Sequence, residues 1–269
     1  MAAPDSAPVP SLEPSMHKSL ALIAAATAAL ASHSAIALGT GDLVFSAFNA
    51  DEDGWALVAF ADITANTTVY FSDNEWNGSA FNTGESYHRW VSGTGTIAAG
   101  TVIRFTKVDA VDLSSSVGTL SRQAVSGSTN YGVANSNEVI YAYLGSSATA
   151  PTTFLSAITN GNFAVDGGIA NTGLTEGLNA IRLNKNATST TPDFGQYNGP
   201  RAGEANFAAY KALVGNVSNW TVDATNGNYA TTVPNTTAFT VTAVPEPETY
   251  ALMLAGLVGV SLAARRRRG

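Results

Sequence analysis

Cysteine is absent from all 269 residues. That excludes disulfides, thiol nucleophiles and Cys-ligated zinc together. Charge is scarce too. Asp, Glu, Lys and Arg make up 12% of the chain, so the surface is built from small polar groups rather than salt bridges. Histidine is nearly missing: only His88 falls between Leu38 and Ala243. A histidine-rich metal site is therefore excluded there, and any Ser-His-Asp site would have to use His88. It sits in strand-like Tyr87-His88-Arg89-Trp90 with no nucleophile-elbow motif in the chain, which reads as a structural histidine. Basic residues are outnumbered. Between Leu38 and Ala243, 16 acidic residues face 8 basic ones. Such a body repels phosphate backbones, so no nucleic-acid partner is expected.

What is present is strand pattern and turn chemistry. Gly41 to Asn49 alternates, and Trp55 to Ala61 is almost continuously apolar, as in a strand covered on both faces. Thr67 to Phe71, Tyr87 to Val91, Gly100 to Thr106, Glu138 to Leu144, Thr153 to Thr159, Asn179 to Asn184 and Thr236 to Thr242 follow. Asp53-Gly54, Asn77-Gly78 and Asn160-Gly161 punctuate them. One stretch differs: Gly203 to Val214 sets Phe207, Tyr210, Leu213 and Val214 at helical spacing. The expectation is a mainly β fold, a single antiparallel β-sandwich over residues 38–243 with one or two short helices. There is also an echo. Ile63-x-Ala65-x-Thr67-x-Val69-x-Phe71 recurs 34 residues on as Ile97-x-Ala99-x-Thr101-x-Ile103-x-Phe105. Two copies do not make a repeat protein; they read as two similar turn-then-strand entries into one sheet.

Both ends fall outside that body. Lys18, the apolar run Leu20 to Ala31 and the small-x-small site Ala35-Ile36-Ala37 read as a secretory signal peptide over residues 1–37. The first fifteen residues are unlike a signal n-region, and Met16 opens a more ordinary one. At the other end, Tyr250 to Ala264 is 15 apolar residues, about 22 Å as helix. A hydrocarbon core of about 30 Å asks for more. Arginine snorkelling, an interfacial Tyr250 and local thinning would have to make up the difference for a transmembrane helix over 250–264. Arg265, Arg266, Arg267 and Arg268 then orient it, positive side in and body out.

Val244-Pro245-Glu246-Pro247, an apolar helix containing Gly256 and Gly259, and a terminal arginine cluster together resemble the PEP-CTERM sorting signal. The resemblance implies recognition by an exosortase after passage through the secretion machinery, with a destination at the cell surface or extracellular matrix. Family members are associated with exopolysaccharide and biofilm. It covers residues 244–269 and describes an address, not an activity. More loosely, Gly41-Asp42-Leu43-Val44-Phe45 through Asn49-Ala50-Asp51, with Tyr70-Phe71-Ser72-Asp73-Asn74-Glu75-Trp76 and Gly84-Glu85, is similar to lamin-tail-like, immunoglobulin-type modules of bacterial surface proteins. Those are binding or structural units.

Two functional readings follow. The first is a non-enzymatic surface module, whose best ligand-contact candidates are Trp76 and Asn74 in a polar turn, able to meet a sugar ring. No cofactor is expected. The second is a secreted hydrolase acting on polysaccharide through carboxylates, with calcium held by Asp51, Asp53, Asp73 and Glu75. The hydrolase reading requires those four to converge in a cleft.

Overall fold

The structure, a computed structural model, describes residues 37–186, 191–223, 225–242 and 247–267. The signal peptide, apart from Ala37, therefore lies outside the described residues, as do Val244, Pro245, Glu246 and Arg268.

The strands in the first half of the body are β1 Leu43–Asn49, β2 Gly54–Ala59, β3 Thr68–Ser72, β4 Tyr87–Val91, β5 Val102–Thr106, β6 Ser114–Ser115 and β7 Thr119–Arg122. The second half adds β8 Val139–Ser147, β9 Ala150–Thr159, β10 Ala180–Arg182, β11 Phe194–Tyr197 and β12 Trp220–Val222. They form two six-stranded sheets, ordered β12-β11-β1-β2-β5-β6 and β10-β9-β8-β3-β4-β7. The fold is mainly β, as the alternation predicts. It is not wholly antiparallel: β10 runs parallel to β9.

One apolar core draws on both sheets. Phe45, Leu57 and Phe105 of the first meet Phe71, Trp90, Ile140 and Ile158 of the second. Each such side chain removed from water contributes about 1.5–3 kcal/mol. The continuous apolar run at β8 has a further cause. Ile140 and Ala142 enter this core, whereas Val139, Tyr141 and Tyr143 enter a second cluster with Trp76, Phe154 and Phe163. Period-2 geometry sends alternate residues to opposite faces, and loops cover the outer one.

The internal echo is real but is not two entries into one sheet. The first copy leads into β3 of the second sheet, the second into β5 of the first. Each is a crossing between sheets, and the two meet: Ile63 N donates to Ile97 O at 2.8 Å and Ile97 N to Ile63 O at 2.9 Å. The turns match bond for bond. Thr67 Oγ1 donates to Thr64 O at 2.8 Å, and Thr101 Oγ1 to Ala98 O at 2.7 Å. The left-handed position is Asn66 in one (φ 58°) and Gly100 in the other (φ 90°), the two residue types that tolerate it.

The predicted helix forms as α1, Phe207–Gly215, started by Asn206, whose side chain accepts from Ala209 N at 3.1 Å. The strand expected over Thr236 to Thr242 is instead a strap outside both sheets, whose ladder pairing is the isolated β-bridge of Glu204 with Val241. Phe239 buries itself against Phe60, Tyr197 and Tyr210. Phe239 N donates to Gly100 O, Thr240 N to Arg201 O and Thr242 N to Glu204 O, each at 2.8 Å. The Arg201 guanidinium lies 4.7 Å from the Phe239 ring centre and donates to Thr237 O at 2.8 Å.

The tail helix α2 spans Pro247–Arg266. Pro247 is its first residue, where a missing N–H costs nothing. Leu252, Met253, Leu254, Leu257, Val258 and Val260 are all exposed. Glu248 and Arg265 bound the apolar run. No helix among the described residues is long and apolar enough to cross a membrane, which corrects the transmembrane helix expected over 250–264.

Candidate binding cleft, buried carboxyl groups and sorting tail

Past β3 the chain makes a tight hairpin, Asn74 to Asn82, that folds back over the outer face of the second sheet. Asn77 N donates to Ala80 O at 3.1 Å and Asn82 N to Glu75 O at 3.0 Å. The Asn77 carboxamide oxygen accepts from Ser79 N at 3.0 Å and Ala80 N at 3.1 Å, an Asx turn that sets the bend. The loop after β9 docks on this hairpin. Gly168 N donates to Trp76 O and Tyr141 Oη to Gly168 O, both at 2.8 Å.

That docking overturns the expectation for Trp76. Its indole is 7% exposed, packs edge-on against Phe81 and Phe154, and donates Nε1–H to Ala170 O at 2.9 Å. Burying the large apolar ring outweighs the polarity of its sequence neighbours. Asn74 is fully buried as well. Its Nδ2 donates to Ser86 O at 2.9 Å and its Oδ1 accepts from Glu85 N at 3.2 Å. Asn74 is closed off from a ligand, and Trp76 borders the cleft described below with little of its surface exposed. Trp55, Trp90 and Trp220 are also buried, so no tryptophan provides a flat sugar-stacking platform.

An open cleft of about 310 Å³ remains between the hairpin and the loop. Glu75, Asn77 and Asn82 line one side, and Val165, Gly167 and Gly168 the other. The Asn82 carboxamide donates to the Glu75 carboxylate. Val165 is largely exposed. Gly167 is required here: at φ 122° it is strained for other residues, and a Cβ would lie 2.7 Å from Val139 Cγ1.

The four carboxylates proposed for calcium do not converge. Asp51 accepts from Tyr229 N at 2.7 Å and Asp53 from Val133 N at 2.6 Å, both beyond β1. Asp73 is buried beyond β3, where Ser86 N donates to it at 2.6 Å, and of the four Glu75 alone lines the cleft. Among the described residues no three His, Asp or Glu side chains are grouped to hold a metal ion. His88 is structural in geometry: its Nε2 lies 3.1 Å from Val108 O and its Nδ1 3.4 Å from Ser86 Oγ. Serine stands between histidine and aspartate, an order unlike that of a nucleophilic triad. Burial, with Arg122 adding to it, lowers the His88 pKa to about 4.

Sequence reasoning passed over Glu85 and Glu138. Burial first, then the charges of Asp73 and Glu75, pushes Glu85 up to about 8. Burial, then Asp73 and Glu85, pushes Glu138 well above the ordinary carboxyl range. Burial raises Asp73 to about 6 against the hydrogen bonds from Ser86. The available signal was position: Glu138 abuts the apolar run of β8, where a carboxylate has little access to water.

Residues 243–268 match the PEP-CTERM protein-sorting motif. The chain carries a sorting tail. No curated protein and no solved structure matches it, so the lamin-tail-like resemblance gains no support. The motif marks the chain for recognition by an exosortase and for export to the cell surface.

Proposed function

We propose that this chain is an exosortase-processed surface protein whose two-sheet body is a non-enzymatic binding or structural module of an exopolysaccharide-bearing matrix. The match of residues 243–268 to the sorting motif carries the reading. The exposed apolar helix α2, ending in Arg265 to Arg267, is suited to lie on an anionic membrane surface as a handle until the exosortase acts. In the body, Glu75, Asn77 and Asn82 are the groups suited to sugar hydroxyls, since carboxamides and a carboxylate supply both donors and acceptors beside an exposed aliphatic patch. Contact by hydrogen bonding replaces ring stacking on Trp76. The hydrolase reading rested on four converging carboxylates, and these lie apart.

Mass spectrometry of the mature C-terminus tests the address. The expected product lacks the arginine cluster in cells with an active exosortase; an intact Arg265-to-Gly269 end there would refute processing. Pull-down with the producing cell's exopolysaccharide tests the cleft. Asn82→Ala with Glu75→Gln is expected to weaken retention at least about tenfold, the scale of one or two lost hydrogen bonds. Undiminished retention would remove the cleft from the proposal.

A further inference from the structure

Asp73, Glu85 and Glu138 come together where the loops after β3 and before β8 meet, each adding to the others' negative charge. Glu138 is 3% exposed. Its Oε2 accepts from Ala134 N at 2.7 Å, while its Oε1 is buried without a partner. Glu85 Oε2 is likewise buried and unpartnered. The charges facing Glu138 are those of Asp73 and Glu85; those facing Glu85 are Asp73 and Glu75. From β4, Tyr87 faces Asp73, and His88 shares Ser86 with it. From β8, Tyr143 faces Asp73 and Tyr141 faces Glu75. Arg122 on β7 faces His88 rather than the carboxyls: its Nε donates to Val108 O at 3.3 Å, the group lies 4.6 Å from the centre of the Tyr131 ring, and its Nη2 is buried without a partner. None of the four ion pairs among the described residues includes a member of the cluster.

Several buried negative charges without a cation are costly, whereas a protonated carboxyl is neutral and gains a donor. We propose that Glu85 and Glu138, with Asp73 beside them, hold protons in the folded body at neutral pH and make the fold proton-linked, firmer in mildly acidic than in alkaline surroundings. The sign follows from the direction of the shifts. A carboxyl that keeps its proton to higher pH when folded contributes stability that is complete below its unfolded pKa and is lost as pH rises through its folded one. For Glu85 that window runs from the ordinary glutamate value of 4.5 to about 8. His88 acts oppositely, but only below its unfolded pKa of about 6.5, so the upper half of the window belongs to the carboxyls.

Thermal unfolding of the full chain tests this. Tm is expected to fall by about 5 °C from about pH 6.5 to about pH 8.5, and by less than half as much in the Glu85→Gln, Glu138→Gln double variant. Infrared spectra of the intact protein at neutral pH are expected to show the band of a protonated carboxyl group, which keeps the test decisive if the variant does not fold. A Tm that is flat or rises, a variant with the wild-type slope, or no such band would overturn the proposal. So would millimolar calcium that abolishes both the slope and the band, since the cluster would then be a cation site.

Discussion

Trp76 shows how far a residue's sequence neighbours can mislead. Asn74, Glu75, Asn77 and Gly78 surround it, and that polarity speaks for an exposed turn. Beyond its neighbour Phe81, its partners are Phe154 and Ala170, 78 and 94 residues away, and no local pattern announces those two. Trp76→Ala is expected to destabilise the body by about 3–5 kcal/mol, read by denaturant unfolding, with Trp76→Phe recovering most of the packing but not the bond to Ala170. Gly167→Ala is expected to cost about 2 kcal/mol or more through its left-handed backbone and its overlap with Val139. His88 supplies a pH test. Its folded pKa of about 4 lies below the ordinary histidine value of 6.5, so its contribution is present above 6.5 and is lost as pH falls toward 4. The stability advantage of the wild type over His88→Gln should therefore shrink across that window.

Among the elements, those with their own apolar pattern were legible. β1, β2, β3, β4, β5, β8 and β9 fall within a few residues of where alternation and turn signals put them, as does α1. β6, β7, β11 and β12 were not legible. Ser114–Ser115 and Thr119–Arg122 have no hydrophobic period; the backbones of β5 and β4 recruit them. The echo was visible as a pattern, but a period of two cannot say which sheet a strand joins. Only the paired crossings at Ile63 and Ile97 decide that. The strap gives the test at this scale. A chain ending at Thr242 is expected to melt with the wild type, whereas one ending at Pro234, or carrying Phe239→Ala, should lose about 3–4 kcal/mol with the buried ring. Equal melting of the two truncations would show that the strap adds nothing to the fold.

For the whole molecule, the address was legible and the cleft was not. The tail is a contiguous string, and contiguous strings survive in sequence. The cleft joins Glu75 and Asn82 to Val165 and Gly167 across some eighty residues. The buried carboxyl cluster is similarly scattered, since its members share a place and not a segment.

The strap also has a mechanical meaning. Thr242 is fastened to the body by a backbone bond to Glu204 O, and α2 begins at Pro247. With four residues between them, the five Cα steps from Thr242 to Pro247 reach at most about 18 Å when drawn straight. While the tail is held, the body is on a short leash. Any pull on that leash enters through the strap bonds and runs into the core at Phe239, where the Arg201 guanidinium covers the ring. Tension is thus delivered to the aromatic cluster of Phe239, Phe60, Tyr197 and Tyr210, none of which lines the cleft.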